Sequence, residues 1–224
     1  MKIRCSALGR LMGGWEKPKE ALSEDAKSLI TEIAIKEKYG REPILDSKEM
    51  EKGRRVEEQS ISLLSDVTGV LYIKNREWLE NDYIHGTNDI KKNDTIVDIK
   101  SPYNIFTFAK AELESAYAWQ LTGYMWLWDK QKALLAYCLV DAPEDMIFDE
   151  VKRYSYMTKT FVEVDQKAFN ALEEKVRNNM TYKDIPKEKR TKIFEIARDE
   201  AKIEMIKAKH ALATEYYNFI INSI

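Results

Sequence analysis

The residues of this chain best suited to chemistry lie between Tyr83 and Pro102, in the run Y-I-H-G-T-N-D-I-K-K-N-D-T-I-V-D-I-K-S-P. The run reads as two strands joined by a polar turn, with Asp89 at the end of the first. Side chains alternate across a strand, so Ile96, Asp98 and Lys100 share one face and Val97 and Ile99 the other. Asp98 and Lys100 therefore stand side by side, with Asp89 nearby across the turn. Carboxylates so placed can hold a hard divalent cation, which takes oxygen ligands. A lysine beside them can orient a water or stabilise developing negative charge. Phosphodiester hydrolysis needs these parts: an activated water in line with the leaving oxygen, and positive charge on the non-bridging oxygens.

An Asp-x-Lys tripeptide alone says little, because roughly one copy is expected by chance in a chain of this length. By itself it reads as a surface ion pair. The discriminating feature is the set of elements around it. A helix is predicted over 48–67, after Ser47. Its periodicity puts Met50, Glu57, Ile61 and Leu64 on one stripe, with Val56, Ser60, Leu63 and Val67 beside it. Glu57 then turns inward and Glu58 outward. An inward carboxylate needs a metal or an ionic partner, so Glu57 reads as a ligand or as half of an ion pair with an inward Lys or Arg. Downstream, a long helix from Thr107 to Trp128 aligns Tyr117, Gln120, Leu121, Tyr124 and Trp128 on one face. Val70 to Ile73 reads as a short strand, and Ala133 to Val140 as a strand buried on both faces. The predicted order is helix, three strands, helix, strand.

The flanks are less informative. Residues 1–14 suggest a short strand or turn and a helical turn, ended by Gly13-Gly14. A helix over 23–39 is capped by Ser23 and stopped by Gly40 and Pro43. An acidic connector follows Val140, then a strand over Tyr154 to Val164 and a helix from Asp165 to about Asn178. A last helix is predicted from about Lys187 to Asn222, with Ile193, Ile196, Ala197, Ala201, Met205, Ala208 and Leu212 as its seam.

Composition sets the bounds. At 224 residues, 44% hydrophobic and 33% charged, the chain fits one globular domain, with a core over about 44–140 and an extension over about 141–224. No apolar run approaches the roughly 20 residues of a membrane helix. The N-terminus does not read as a signal peptide, so a cytoplasmic protein is expected. Cys5 and Cys138 read as reduced thiols, too few for a four-thiolate cluster. The net charge of −2 does not advertise nucleic-acid binding, but Lys2, Arg4, Arg10, Lys17 and Lys19 gather near the start and Arg54-Arg55 form a second cluster. Trp15 lies in the basic, glycine-flanked segment and is a candidate for DNA contact. Trp119, Trp126 and Trp128 read as packing residues, His85 as a strand-end histidine, and the lysines near Lys187 as a solvated face.

Taken together, these residues resemble the PD-(D/E)xK nucleases and, within them, the YqaJ-type viral recombinases, the lambda-exonuclease-like family. Gly53-Arg-Arg-Val-Glu57 is similar to that family's Gly-x-x-x-Glu helix, Gly86-Thr-Asn-Asp89 to its metal-binding turn, and Gln120-Leu-Thr-Gly-Tyr124-Met-Trp126 to its Gln-containing helix. Asp98-Ile-Lys100-Ser-Pro102 matches Glu-x-Lys-x-Pro with Asp for Glu, one methylene shorter. Ile3-Arg-Cys-Ser6 resembles a segment that contacts DNA phosphate. The resemblance spans roughly Ile3 to Val140.

It implies an α/β restriction-endonuclease-like core of order α-β-β-β-α-β, with an extra N-terminal helix and a long C-terminal helix. It implies a Mg²⁺-dependent exonuclease, with Mn²⁺ as a substitute, that digests one strand of duplex DNA from the 5′ end and leaves 3′ single strands. Asp89, Asp98 and the Ile99 carbonyl would hold the metal, Glu57 a water of it or a second ion, and Lys100 and Gln120 would complete the catalytic set. Arg4, Ser6, Arg10, Trp15, Arg54 and Tyr124 would contact DNA. Partners would be double-stranded DNA ends, a single-strand annealing protein, and copies of the same chain in a trimeric ring. If the chain is phage-encoded, its compartment would be the host cytoplasm. A related endonuclease or repair nuclease, and a DNA-binding assembly protein on a nuclease core, are the alternatives.

Overall fold

The structure, a computed structural model, describes residues 1–13, 21–44 and 47–224. The chain opens with β1 (Ile3–Arg4), a 3-10 turn (Cys5–Ala7) and α1 (Leu8–Met12), followed by α2 (Glu24–Tyr39) and α3 (Lys48–Thr68). Short strands β2 (Leu79–Glu80), β3 (Ile84–Gly86) and β4 (Ile90–Lys92) lead into β5 (Thr95–Lys100). Then come α4 (Ile105–Ala109), α5 (Ser115–Leu127), β6 (Lys132–Cys138), α6 (Glu144–Thr158) and α7 (Gln166–Met180). A 3-10 turn (Lys187–Arg190), β7 (Thr191–Ala197) and α8 (Glu200–Ser223) complete the chain.

The strands form two sheets. One is four-stranded in the order β4-β5-β6-β7, with β5 and β6 parallel and both outer pairs antiparallel. The other is small, in the order β1-β3-β2. Residues 87–89 carry the chain from the small sheet to the large one. Strand β5 lies between two helices. Val97 and Ile99 pack with Val56, Ile61 and Leu64 of α3, while Ile96 joins Leu121 and Met125 of α5 in the main core. This is the mixed α/β nuclease-like core the sequence predicts, with the long C-terminal helix added.

The first helices form where their caps say they should. Ser23 accepts from Ala26 N–H and Ser47 from Met50 N–H, satisfying first-turn donors. Gly40 (φ 64°) and Gly69 (φ 66°) end α2 and α3 in the left-handed region, where a side chain would be strained.

Five expectations differ. Residues 70–73 run beside β4 without forming a strand, and a single bridge joins Lys74 to Ile90. The hairpin is β4–β5, with Asn93 at φ 49° in its turn, so Asp89 precedes its first strand rather than ending it. The helix predicted over 107–128 breaks between Ala109 and Ser115 because tertiary donors take its carbonyls. Lys192 Nζ donates to Ala109 O at 2.8 Å and Ala111 O at 3.3 Å, and Tyr137 Oη to Glu112 O at 2.9 Å. The strand expected over 154–164 is absent: 154–158 end α6, whose buried Met146, Ile147, Glu150, Val151 and Ser155 follow a helical period, and 159–164 form turns. Its acidic first turn, Glu144-Asp145, is the supposed connector, placed where a helix favours negative charge. The last helix begins only at Glu200, capped by Asp199, and 191–197 is β7, paired with β6 over its whole length.

Candidate active site

The site lies where the chain crosses from the small sheet into the large one. The Asp89 carboxylate takes the place of a further ladder partner for β5. The last β4–β5 pair is Ile90 with Val97, and beyond it Ile99 N–H donates to Asp89 Oδ2 at 2.7 Å. In a strand the N–H and C=O of one residue point to the same side, so the Ile99 carbonyl also faces the Asp89 edge. Asp98, 2% exposed, points toward α5, where Gln120 Nε2 donates to its Oδ1 at 3.0 Å and to Tyr124 Oη at 3.2 Å. Lys100 Nζ lies 2.7 Å from Asp98 Oδ2 and 4.7 Å from the centre of the Tyr117 ring. The buried Oδ2 receives no hydrogen bond of good geometry, although the ion pair touches it.

Burial governs the electrostatics. It pushes the Asp89 carboxyl up to about 7, and the charge of Asp98 adds to the shift. The Ile99 amide, Lys100 and Glu57 act more weakly, the first two lowering it and Glu57 raising it. Burial also works against the Lys100 ammonium, but Asp98 and Asp89 outweigh it and hold that group above its ordinary value. The group is thus short of positive charge: two carboxylates share one lysine. Among the described residues no three His, Cys, Asp or Glu side chains converge as a metal cluster. Two carboxylates and a backbone carbonyl are nevertheless a donor set that fits a hard cation retaining several waters. Asp89, Asp98 and Ile99 O are the atoms that could hold one.

Glu57 reaches the cleft from α3, on the opposite face of β5, and is paired with Lys74 Nζ at 2.6 Å. Glu57 is thus in an ion pair, but with the exposed Lys74 rather than with an inward Lys or Arg, and it remains on the cleft wall. Glu58 is exposed.

An open cleft of about 920 Å³ covers these residues, and Arg4, Arg54 and Lys110 line it together with Glu49 and Glu114. Arg4 arrives there because β1 pairs with β3, setting Arg4 beside His85. Two glycines seat the N-terminal segment on α5. A Cβ at Gly9 would meet Ala116 Cα at 2.7 Å, and one at Gly123 would meet Leu8 Cδ1 at 2.5 Å. Ser6 is exposed in the turn after β1 and is not on the cleft wall. Arg10 is away from the cleft: Glu32 holds it with two hydrogen bonds, at 2.9 and 3.0 Å, and Asp25 with a third at 2.8 Å. Tyr124 is buried behind Gln120, against Gly86, where it supports the site without facing solvent. Trp15 lies outside the described residues. Sequence reasoning missed Lys110 and the part played by Tyr117. Tyr117 lies one turn before Gln120 on the predicted helix face, so its signal was present; Lys110 belongs to no motif.

No family model matches the chain, and no curated protein does. Among solved structures, a phage-related exonuclease from Haemophilus somnus 129PT superposes with a TM-score of 0.76 at 28% identity, over 100% of this chain and 96% of that one. The chain has the phage-exonuclease fold. An alkaline exonuclease, LHK-Exo from Laribacter hongkongensis, shares that fold at 13% identity, with a TM-score of 0.66 over 99% of this chain and 90% of its own. The same protein in complex with dAMP gives 12% and 0.65. The match runs the full length, so α6 to α8, which carry no motif, are part of the phage-exonuclease fold in this chain. These neighbours support an exonuclease. No helix among the described residues is long and apolar enough to cross a membrane.

Proposed function

We propose that this chain is a Mg²⁺-dependent deoxyribonuclease, with Mn²⁺ as a substitute, that degrades one strand of linear duplex DNA from its 5′ end and leaves 3′ single strands. One observation carries the reading: the buried Asp98 and half-buried Asp89 beside Lys100, on the wall of an open cleft that Arg4, Arg54 and Lys110 also line, in a fold whose neighbours are exonucleases. A divalent metal held by Asp89, Asp98 and Ile99 O would activate water and neutralise charge on the scissile phosphate. Lys100, kept charged by its two carboxylate neighbours, is suited to stabilising negative charge rather than to accepting a proton. Gln120 holds Asp98 in one orientation through Oδ1 and leaves Oδ2 toward Lys100. Tyr117 covers Lys100 with its ring face, a favourable site for a cation. Arg4, Arg54 and Lys110 are placed to meet DNA phosphates, which position a substrate without reading its sequence. Glu57, once drawn off Lys74, would bind a water of the metal or a second ion. The neighbour solved with dAMP holds a mononucleotide, the kind of product that stepwise digestion releases. Double-stranded DNA ends would be the substrate, a single-strand annealing protein the natural consumer of the product, and a trimeric ring of this chain the assembly.

The test compares end-labelled linear duplex with closed circular DNA of the same sequence. The reading expects nucleotides from the 5′-phosphorylated strand of the linear form and an intact circle. Cutting of the circle would replace it with the endonuclease alternative, and release from the 3′ end would reverse the polarity.

A further inference from the structure

Beneath the cleft lies a charge that the site does not use. Lys52 of α3 is 0% exposed. Its Nζ donates to Pro102 O at 2.9 Å and Tyr103 O at 3.1 Å, and it sits 5.6 Å from the centre of the Tyr182 ring. Two turns further along α3, Ser60 Oγ lies 2.8 Å from Ser101 Oγ. Lys52, Val56 and Ser60 are spaced by four residues and so share one stripe of the helix. The segment they hold, 101–103, leads directly from Lys100 at the end of β5 to the Asn104 cap of α4.

A buried ammonium is costly, and lysine is almost never fully buried unless it is paired. Burial pushes this one down to about 8, with the charge of Asp141 opposing the shift weakly. An apolar side chain would avoid that cost but leave the Pro102 and Tyr103 carbonyls without this donor. The remaining contacts between α3 and the sheet include the apolar cluster of Val56, Ile61 and Leu64 on Val97 and Ile99. Apolar burial is non-directional, so it does not single out individual atoms as hydrogen bonds do. The two polar ties are of that second kind, and they join the element carrying Glu57 to the end of the strand carrying Asp98 and Lys100.

We propose that Lys52 is a positioning residue: with Ser60 it locks α3 onto the 101–103 segment and so sets where Glu57 stands relative to Asp89, Asp98 and Lys100. This rests on the nuclease reading above. Loss of the tie would misplace Glu57 and Lys100, and a displacement of about 1 Å at a catalytic group can cost about 100-fold in rate.

The test uses the full chain with Lys52→Met, which keeps length and removes the donors, Lys52→Gln, which keeps one donor group, and Ser60→Ala, which cuts the second tie without touching a charge. Three quantities are read: kcat and KM on linear duplex, the Mg²⁺ concentration giving half-maximal rate, and the rise in melting temperature on adding Mg²⁺ without DNA. The proposal expects kcat to fall about 10- to 100-fold in Lys52→Met, with KM within about 3-fold, a higher Mg²⁺ requirement and a smaller Mg²⁺-induced rise in melting temperature. Ser60→Ala should move the same readouts in the same direction by less, and Lys52→Gln should recover part of the loss. Wild-type kcat and Mg²⁺ requirement in Lys52→Gln and Ser60→Ala would overturn it, even if Lys52→Met fails to fold. So would a fall in activity that only tracks the folded fraction. If the wild type itself cuts no DNA, the nuclease reading fails instead, a result no variant can mimic.

Discussion

The two faces of β5 serve opposite ends. On one, Val97 and Ile99 meet the apolar stripe of α3, where burial removes hydrocarbon from water and stabilises the fold. On the other, one residue away in each direction, Asp98 and Lys100 place charges where water is scarce. The first face resembles any close-packed interior. The second keeps two carboxylates close enough to raise the affinity of Asp89 for a proton, a condition that lowers stability in the absence of a cation. A strand can carry both because its side chains alternate, so a three-residue stretch separates what holds the protein together from what it is proposed to do.

That contrast can be broken in a graded way. The largest effect should come from the charged face: Lys100→Ala should lower kcat by about 100-fold or more while the protein stays folded and binds DNA. Circular dichroism and a filter-binding assay in Ca²⁺ would check the second half. The apolar face should answer in the opposite currency. Leu64→Ala, at a fully buried position, should destabilise by about 2–5 kcal/mol with activity per folded molecule preserved, read by urea unfolding and active-site titration.

Next in size is a pH effect on the metal-free protein. The Asp89 carboxyl has a higher pKa folded than unfolded, so the native state binds its proton more tightly. Its contribution to stability is present below about 4 and lost as pH rises through about 7. Asp89→Asn keeps an oxygen to accept from Ile99 N–H and removes that dependence. At pH 8 without metal it should melt above the wild type by about 4–8 °C, from ~2 kcal/mol, and the gap should close toward pH 4. A wild type that melts higher at both pH values would contradict the charge-crowded picture. The smallest effect separates two arginines six residues apart. Arg4→Ala should weaken DNA binding and flatten the slope of log affinity against log salt by about 1. Arg10→Ala should leave that slope unchanged and loosen the α1–α2 contact, because Glu32 and Asp25 already hold its guanidinium.

How much of this was readable from sequence follows from the range of the interactions involved. Alternation along β5, the Ser47 cap and the helical stripe over 48–67 are local, and they place Asp98, Lys100 and α3 correctly. Asp89 was found by its turn, yet its position before β4 was not, because Gly86 and Ile90 pair with strands of different sheets. The break between α4 and α5 depends on Lys192 and Tyr137, far along the chain, and no helical pattern in 107–128 contains them. Strand β7 was hidden because Ile193 and Ile196 fit a helical seam as well as a strand, and pairing with β6 decides between the two. Asp199, a ready helix cap, was the unread signal. The DNA contact that the family resemblance implies for Tyr124 fails because a motif places a residue on a helix face without telling what covers it; here it is the small sheet at Gly86.

The proposed role of the charged face of β5 is metal-dependent hydrolysis. The most direct measurement is hydrolysis of 5′-phosphorylated linear duplex DNA with Mg²⁺, with EDTA in its place, and by the Lys100→Ala variant. With Mg²⁺ the wild type should release mononucleotides, and EDTA or the substitution should abolish that release. Release that persists in EDTA, or that survives unchanged in Lys100→Ala, would contradict it.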